Sequence, residues 1–174
     1  MAQKLTLQDA QQSLTGHIAD KAEAIREKYG PHFGWEQMHR LLEDRDYVRY
    51  PCKLVFNEAP LRSGELAHPV ARGATPEEGF DLHVHPFFVT QSEVVPAIVL
   101  YQLVLVNYGD FASPDDAEVF GSIVLGIPRE EYYDQLCEVA DLISPGVSTM
   151  DPQLLAEPPG CSGGCHSGGG CGGS

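Results

Sequence analysis

Cys161, Cys165, His166 and Cys171 place three thiols and an imidazole in the terminal stretch CSGGCHSGGGCGGS, and Asp81, His83 and His85 stand two apart in DLHVH. These are side chains with which a polypeptide holds a soft or borderline metal. In the first group the glycines let the backbone wrap a small ion without side-chain clashes, and the donors suit zinc, copper(I), iron or an iron–sulfur cluster. The spacing C-x3-C-H-x4-C follows neither a zinc-finger nor a ferredoxin pattern, so the metal stays open; incidental thiols on a low-complexity end are the plain alternative. In the second group strand periodicity sets Asp81, His83 and His85 on one face as a chelating row. Two histidines bind weakly without a fixed third ligand, for which Glu118, His68 and His32 are candidates. His17 and His39, on helical segments, read as surface or boundary residues.

The rest of the composition narrows the partners. The chain has 174 residues, about one domain, with 11 Lys plus Arg against 25 Asp plus Glu and a formal charge of −14. Such a surface repels a phosphate backbone or an anionic bilayer, which argues against nucleic acid and membrane as partners. No window of 18 residues is uninterruptedly apolar, and MAQKLTLQDAQQ lacks the basic-then-apolar order of a secretory signal, so a cytoplasmic protein is expected. The five cysteines form no framework of spaced pairs. Cys52 and Cys137 fall on apolar faces and are expected as small core residues.

These side chains need elements to hold them. Thr6 to Tyr29 repeats apolar residues at Leu7, Ala10, Leu14, Ile18, Ala22 and Ile25 and stops at Gly30, which predicts a helix with one packing stripe. A second helix is expected over Trp35 to Leu42, with Trp35, Met38, Leu41 and Leu42 inward. RYPCKLVFN and GFDLHVHPFF then read as strands, and LAHPVAR as a third whose Pro69 favours an edge. Val94 to Tyr108 is a helix apolar on every face and is expected to be the most buried one. Ser113, Pro114 and Asp116 spell a capping box at the start of the next helix, which closes at Gly126. A last helix begins at Pro128, with Tyr133, Leu136, Val139, Ala140 and Ile143 as its packing face. The order predicts an α+β domain over residues 1–143, a short sheet packed with helices. Residues 144–174 are a Pro-, Gly- and Cys-rich tail; eight of the last fifteen residues are glycine, so a disordered arm is expected unless a metal or partner fixes it.

The polar interruptions of the apolar helix carry a resemblance. In VLYQLVLVNYG, Tyr101, Gln102 and Leu105 occupy the spacing at which a zinc peptidase has the two histidines and the glutamate of H-E-x-x-H, and Glu118 in DDAEVFG stands where gluzincin-type folds carry a third ligand. With FDLHVHPFF as an edge strand just before the helix, roughly Arg49 to Ile143 resembles a minimal zincin-like metallopeptidase domain whose motif is lost. The chemistry needs two imidazoles at i and i+4, a carboxylate base and a third ligand. The resemblance therefore implies a pseudo-metallopeptidase kept for binding or scaffolding; otherwise Gln102 is a core amide that needs hydrogen-bond partners.

The tail admits more than metal. GGGCGGS looks like the swinging Gly-Cys arm of sulfur-carrier proteins, and the Cys-, Ser- and Gly-rich end behind a helical body resembles the core of a ribosomally made, thiazole-forming precursor peptide. The function expected is a non-catalytic accessory or scaffold protein with a protein partner, whose Cys/His tail binds or delivers a soft metal or sulfur. The alternatives are a metal-dependent hydrolase using His83 and His85, and a precursor of a modified peptide.

Overall fold

A computed structural model describes residues 7–144. Cys161, Cys165, His166 and Cys171, together with the expectation of a disordered tail, lie outside the described residues.

Among the described residues five α-helices and three strands make an α+β unit, as the element order implies. The helices are α1 (Leu7–Tyr29), α2 (Trp35–Glu43), α3 (Val95–Tyr108), α4 (Pro114–Leu125) and α5 (Arg129–Asp141), and the strands β1 (Cys52–Phe56), β2 (Ala67–Ala71) and β3 (Phe80–Val84) lie between α2 and α3. The sheet order is β1-β3-β2, with β3 parallel to β1 and antiparallel to β2. FDLHVHPFF is thus the centre of the sheet, not an edge, and the open edge near the helices belongs to β2. Hydrogen bonds from His85 N–H to Leu66 C=O and from Arg72 N–H to Gly79 C=O set the parity of that pairing. Alternation then turns the backbone groups of Ala67, Pro69 and Ala71 away from β3. Pro69 sits where its missing N–H removes no bond from the ladder.

One face of the sheet, with Leu82, Val84 and Ala67 fully buried, packs on α3. That helix fulfils its pattern: among its buried residues are Val95, Ile98, Val99, Leu103 and Val106, and it touches α2, α4, α5, β2 and β3. Asn107 meets the demand of burial by accepting from Arg49 N–H at 2.9 Å and donating to Tyr47 C=O at 2.9 Å, which ties α3 to the segment entering β1.

The capping box forms as spelled, and reaches further. Ser113 N–H and Oγ each donate to Asp116 Oδ2 at 2.8 Å, and Asp116 N–H returns to Ser113 Oγ at 3.2 Å. From α1, Thr15 Oγ1 donates to Asp116 Oδ1 at 2.6 Å and Gln11 Nε2 to Oδ2 at 3.0 Å, so the 1 % exposed carboxylate locks α1 to α4. Burial alone would raise its pKa, but these hydrogen bonds, Thr15 foremost, outweigh that and hold it below the ordinary carboxyl value. α4 ends at Gly126 in the left-handed region, as expected of that glycine.

Three packing expectations fail. Leu7 is 92 % exposed because α1 extends past the surface that covers Ile18, Ala22 and Ile25. Trp35 is partly exposed, stacked near Phe56 rather than inserted. In α5 the fully buried tyrosine is Tyr132, whose hydroxyl donates to Ala97 C=O at 2.7 Å, while its neighbour Tyr133 is exposed. No helix among the described residues is long and apolar enough to cross a membrane.

Candidate functional site

A cleft of about 400 Å³ opens between α3, α4, α5 and the start of β2. Tyr101, Gln102 and Leu105, successive turns of α3, form its floor, and Glu118 enters from α4. The four positions that the sequence pairs with a peptidase motif therefore share one site. Leu66, Ala67 and His68 line the β2 side, so the open strand edge borders the cleft.

The donor set at the floor does not fit zinc. Leu105 has no donor atom. The Tyr101 phenol is raised above its ordinary pKa, first by burial and then by the charges of Glu118 and Asp115, so the phenolate that would bind metal is disfavoured. Gln102 offers an amide where a proton-accepting carboxylate is required. Glu118 is already engaged: Arg129 Nε donates to its Oε2 at 2.7 Å, and the same guanidinium also grips Asp115.

Gln102 is the unresolved group. It is 9 % exposed, and its Oε1, sealed from solvent, has no hydrogen-bond partner among the described residues. A buried acceptor left unpaired costs about 1–3 kcal/mol. Among the described residues its oxygen lacks the partner that the sequence expectation asks for; Asn107, five residues on, is the helix's satisfied amide.

The strand row Asp81, His83, His85 does not assemble. Asp81 and His83 share the outer face of the sheet, paired in register with Val70 and His68 on β2. His85 lies past the end of β3, where its Nδ1 accepts from Phe87 N–H at 3.3 Å and its Nε2 faces Glu58 at 3.5 Å. Asp81 receives Arg72 Nε at 2.7 Å, and His83 Nδ1 is buried without a partner among the described residues. Pro86 ends the strand and starts a 3-10 turn, which takes His85 out of the row. Glu118 lines the cleft and His68 its β2 rim, where His68 Nδ1 is 3.3 Å from Glu65; His32, His17 and His39 are exposed. Among the described residues no three His, Cys, Asp or Glu side chains converge as a metal would require.

The two described cysteines depart from the core role expected of them. Cys137, expected in the core, is exposed and lines the cleft beside Tyr133, whose pKa is raised first by their hydrogen bond. Cys52, on β1, is part-buried, and burial pushes its thiol up to about 11, so it is no ready thiolate.

No protein-family model matches the chain, and neither a curated protein nor a solved structure matches it.

Proposed function

We propose that this is a non-catalytic binding domain, a zincin-like layout without its metal positions, whose cleft takes an extended stretch of a partner polypeptide along the open edge of β2. Support comes from one juxtaposition: the motif-spaced residues Tyr101, Gln102 and Leu105, with Glu118, share a cleft with Ala67 and His68 at the start of β2, a strand whose outer edge has no neighbouring strand among the described residues. Added strands bind through such edges by main-chain hydrogen bonds, with pockets for alternate side chains. The Cys161, Cys165, His166 and Cys171 tail is the second working part, an arm that binds or delivers a soft metal or sulfur to the same partner.

The test is selection of peptides from a displayed library on the full chain, followed by calorimetry on wild type and on Leu105→Gln. Binding about tenfold weaker in the variant, at unchanged Tm, supports the cleft; tenfold corresponds to ~1.4 kcal/mol. Selected peptides that bind both chains equally, or no peptide selected at all, would count against it.

A further inference from the structure

We infer that the hollow past the C-terminal end of α3 binds a small planar aromatic carboxylate, with Arg49 taking the carboxylate and the rings of Tyr50, Phe80 and Phe111 taking the aromatic body. The inference stands apart from the strand-binding cleft and shares none of its lining residues.

The hollow has a volume of about 480 Å³, and three pieces of chain are brought together to form it. α3 stops at Gly109, whose φ of 58° lets the backbone turn into the 3-10 segment Gly109–Phe111. The segment entering β1 is held to α3 by the Asn107 side chain, through Arg49 N–H and Tyr47 C=O. The start of β3 is pinned to that same segment, since Phe80 N–H donates to Pro51 C=O at 2.7 Å.

Charge sets the sign of the ligand. The chain carries 25 Asp plus Glu, yet none lines this hollow, and Arg49 is the one charged side chain that does. Its guanidinium lies over the Tyr50 ring, 5.3 Å from the centroid, and pairs with no carboxylate among the described residues. The hydroxyls of Tyr50 and Tyr108 likewise have no hydrogen-bond partner among those residues. Three donor groups therefore line one hollow without a charged acceptor beside them. A carboxylate accepts from a guanidinium as a two-pronged fork and keeps lone pairs for a phenol. A polyanion is disfavoured, because the net charge of −14 repels it and a single guanidinium answers a single negative charge. The field of Arg49 reaches the phenol of Tyr108: burial raises its pKa, and the Arg49 charge acts in the opposite sense.

Shape sets the body. The rings of Tyr50 and Phe80, with centroids 5.9 Å apart and planes tilted by 52°, make an aromatic wall. Phe111, on the 3-10 segment, is 82 % exposed. Rings take a further ring in offset or edge-on contact, a geometry that an aliphatic chain does not reproduce. A bound ring also covers Phe111, apolar surface that otherwise stays in water. The volume falls within the range of about 300–1,000 Å³ found for small-molecule sites.

The experiment is calorimetry on the full chain with benzoate, 2-naphthoate and indole-3-carboxylate, each beside its neutral primary amide, for wild type, Arg49→Gln and Phe111→Ser. Both substituted side chains are exposed, and residue 49 keeps the backbone N–H that holds Asn107, so the variants retain the fold. At least one carboxylate should bind wild type about tenfold more tightly than its amide and shift the NMR signals of Tyr50, Phe80 and Gly109. Arg49→Gln should abolish the preference for carboxylate over amide, and Phe111→Ser should weaken both ligands alike. No binding by any of the three carboxylates, equal binding of carboxylate and amide to wild type, a preference that survives Arg49→Gln, or affinities unchanged in Phe111→Ser would each overturn the assignment.

Discussion

Arg129 at the start of α5 holds Glu118 of α4 through Nε and Nη2, at 2.7 and 2.6 Å from the same Oε2. The carboxylate that lines the cleft with Tyr101, Gln102 and Leu105 is therefore already paired with a guanidinium. The pair is weak as a stabiliser because Arg129 is 44 % exposed at its side chain, so removing it leaves the fold intact.

That relationship gives the first prediction. Tyr101→His, Gln102→Glu and Leu105→His together restore two imidazoles one turn apart and a carboxylate beside the first. Zinc binding by this triple variant should tighten about tenfold when Arg129→Gln is added, because Glu118 is then free to ligate. Competition with a chromophoric chelator measures it. Folded variants that take up no zinc, with or without Arg129→Gln, would remove the main support for a zincin-like ancestry.

Asp116 supplies the second. Replacing it by Ala leaves donors from Thr15, Gln11 and Ser113 unpaired and removes the cap, a loss of about 2–3 kcal/mol in urea unfolding at neutral pH. Its folded pKa lies below the unfolded value, so the stability it contributes is present above the unfolded carboxyl pKa and is lost as pH falls through the folded one. Wild type should therefore lose stability on acidification below about pH 4 more steeply than Asp116→Asn. Parallel acid profiles for the two chains would show that the carboxylate is not the acid-sensitive lock.

The third prediction concerns Gly121. A Cβ there would lie 2.2 Å from Cζ of Tyr132, whose ring fills the space between α4 and α5. Gly121→Ala should destabilise by about 1–3 kcal/mol through overpacking. Shortening the ring with Tyr132→Leu should make the double variant less unstable than the sum of the two single ones. Additive losses in a double-mutant cycle would mean that the ring moves aside at no cost.

Local signals were legible where one short stretch carries all the physics. Ser113, Pro114 and Asp116 spell the cap that forms, and the all-round apolarity of α3 states its burial. The failures share a cause, which is that periodicity identifies an apolar stripe but not what covers it. In α5 two stripes interleave: Tyr132 and Val139 enter the core, whereas Tyr133, Leu136, Cys137 and Ala140 line the cleft. A repeat at three and four residues is equally satisfied by either. The order of strands is likewise invisible locally, since Pro69 marks an edge but nothing in FDLHVHPFF says that β1 and β2 flank it. Thr15 and Gln11 on Asp116, and Arg129 on Glu118, are pairings made by tertiary approach. Polar residues on a helix surface give no sign of them. Tyr101, Gln102, Leu105 and Glu118 line one cleft, and of the strand edge beside them the sequence shows only Pro69.

The last prediction takes the tail. Cys161, Cys165, His166 and Cys171 are four donors close in sequence, three of them soft, with glycines between that allow the backbone to fold around an ion. The described part of the chain offers no competing group of three ligands, so metal carried by the full chain should follow the tail. Anaerobically purified protein should hold zinc, copper(I) or iron in proportion to chain, and Cys161→Ser/Cys165→Ser/Cys171→Ser should lose most of it. His166→Ala should lose less, because thiolates are the stronger donors for soft ions. Thiolate ligation displaces protons, so affinity should fall as pH drops below the thiol range, steeply where several thiols ligate together. Elemental analysis of the three chains across pH reads all of this at once. Equal metal in wild type and the triple serine variant would reject the tail as a ligand set, and would leave sulfur transfer or peptide modification as the chemistry of its cysteines.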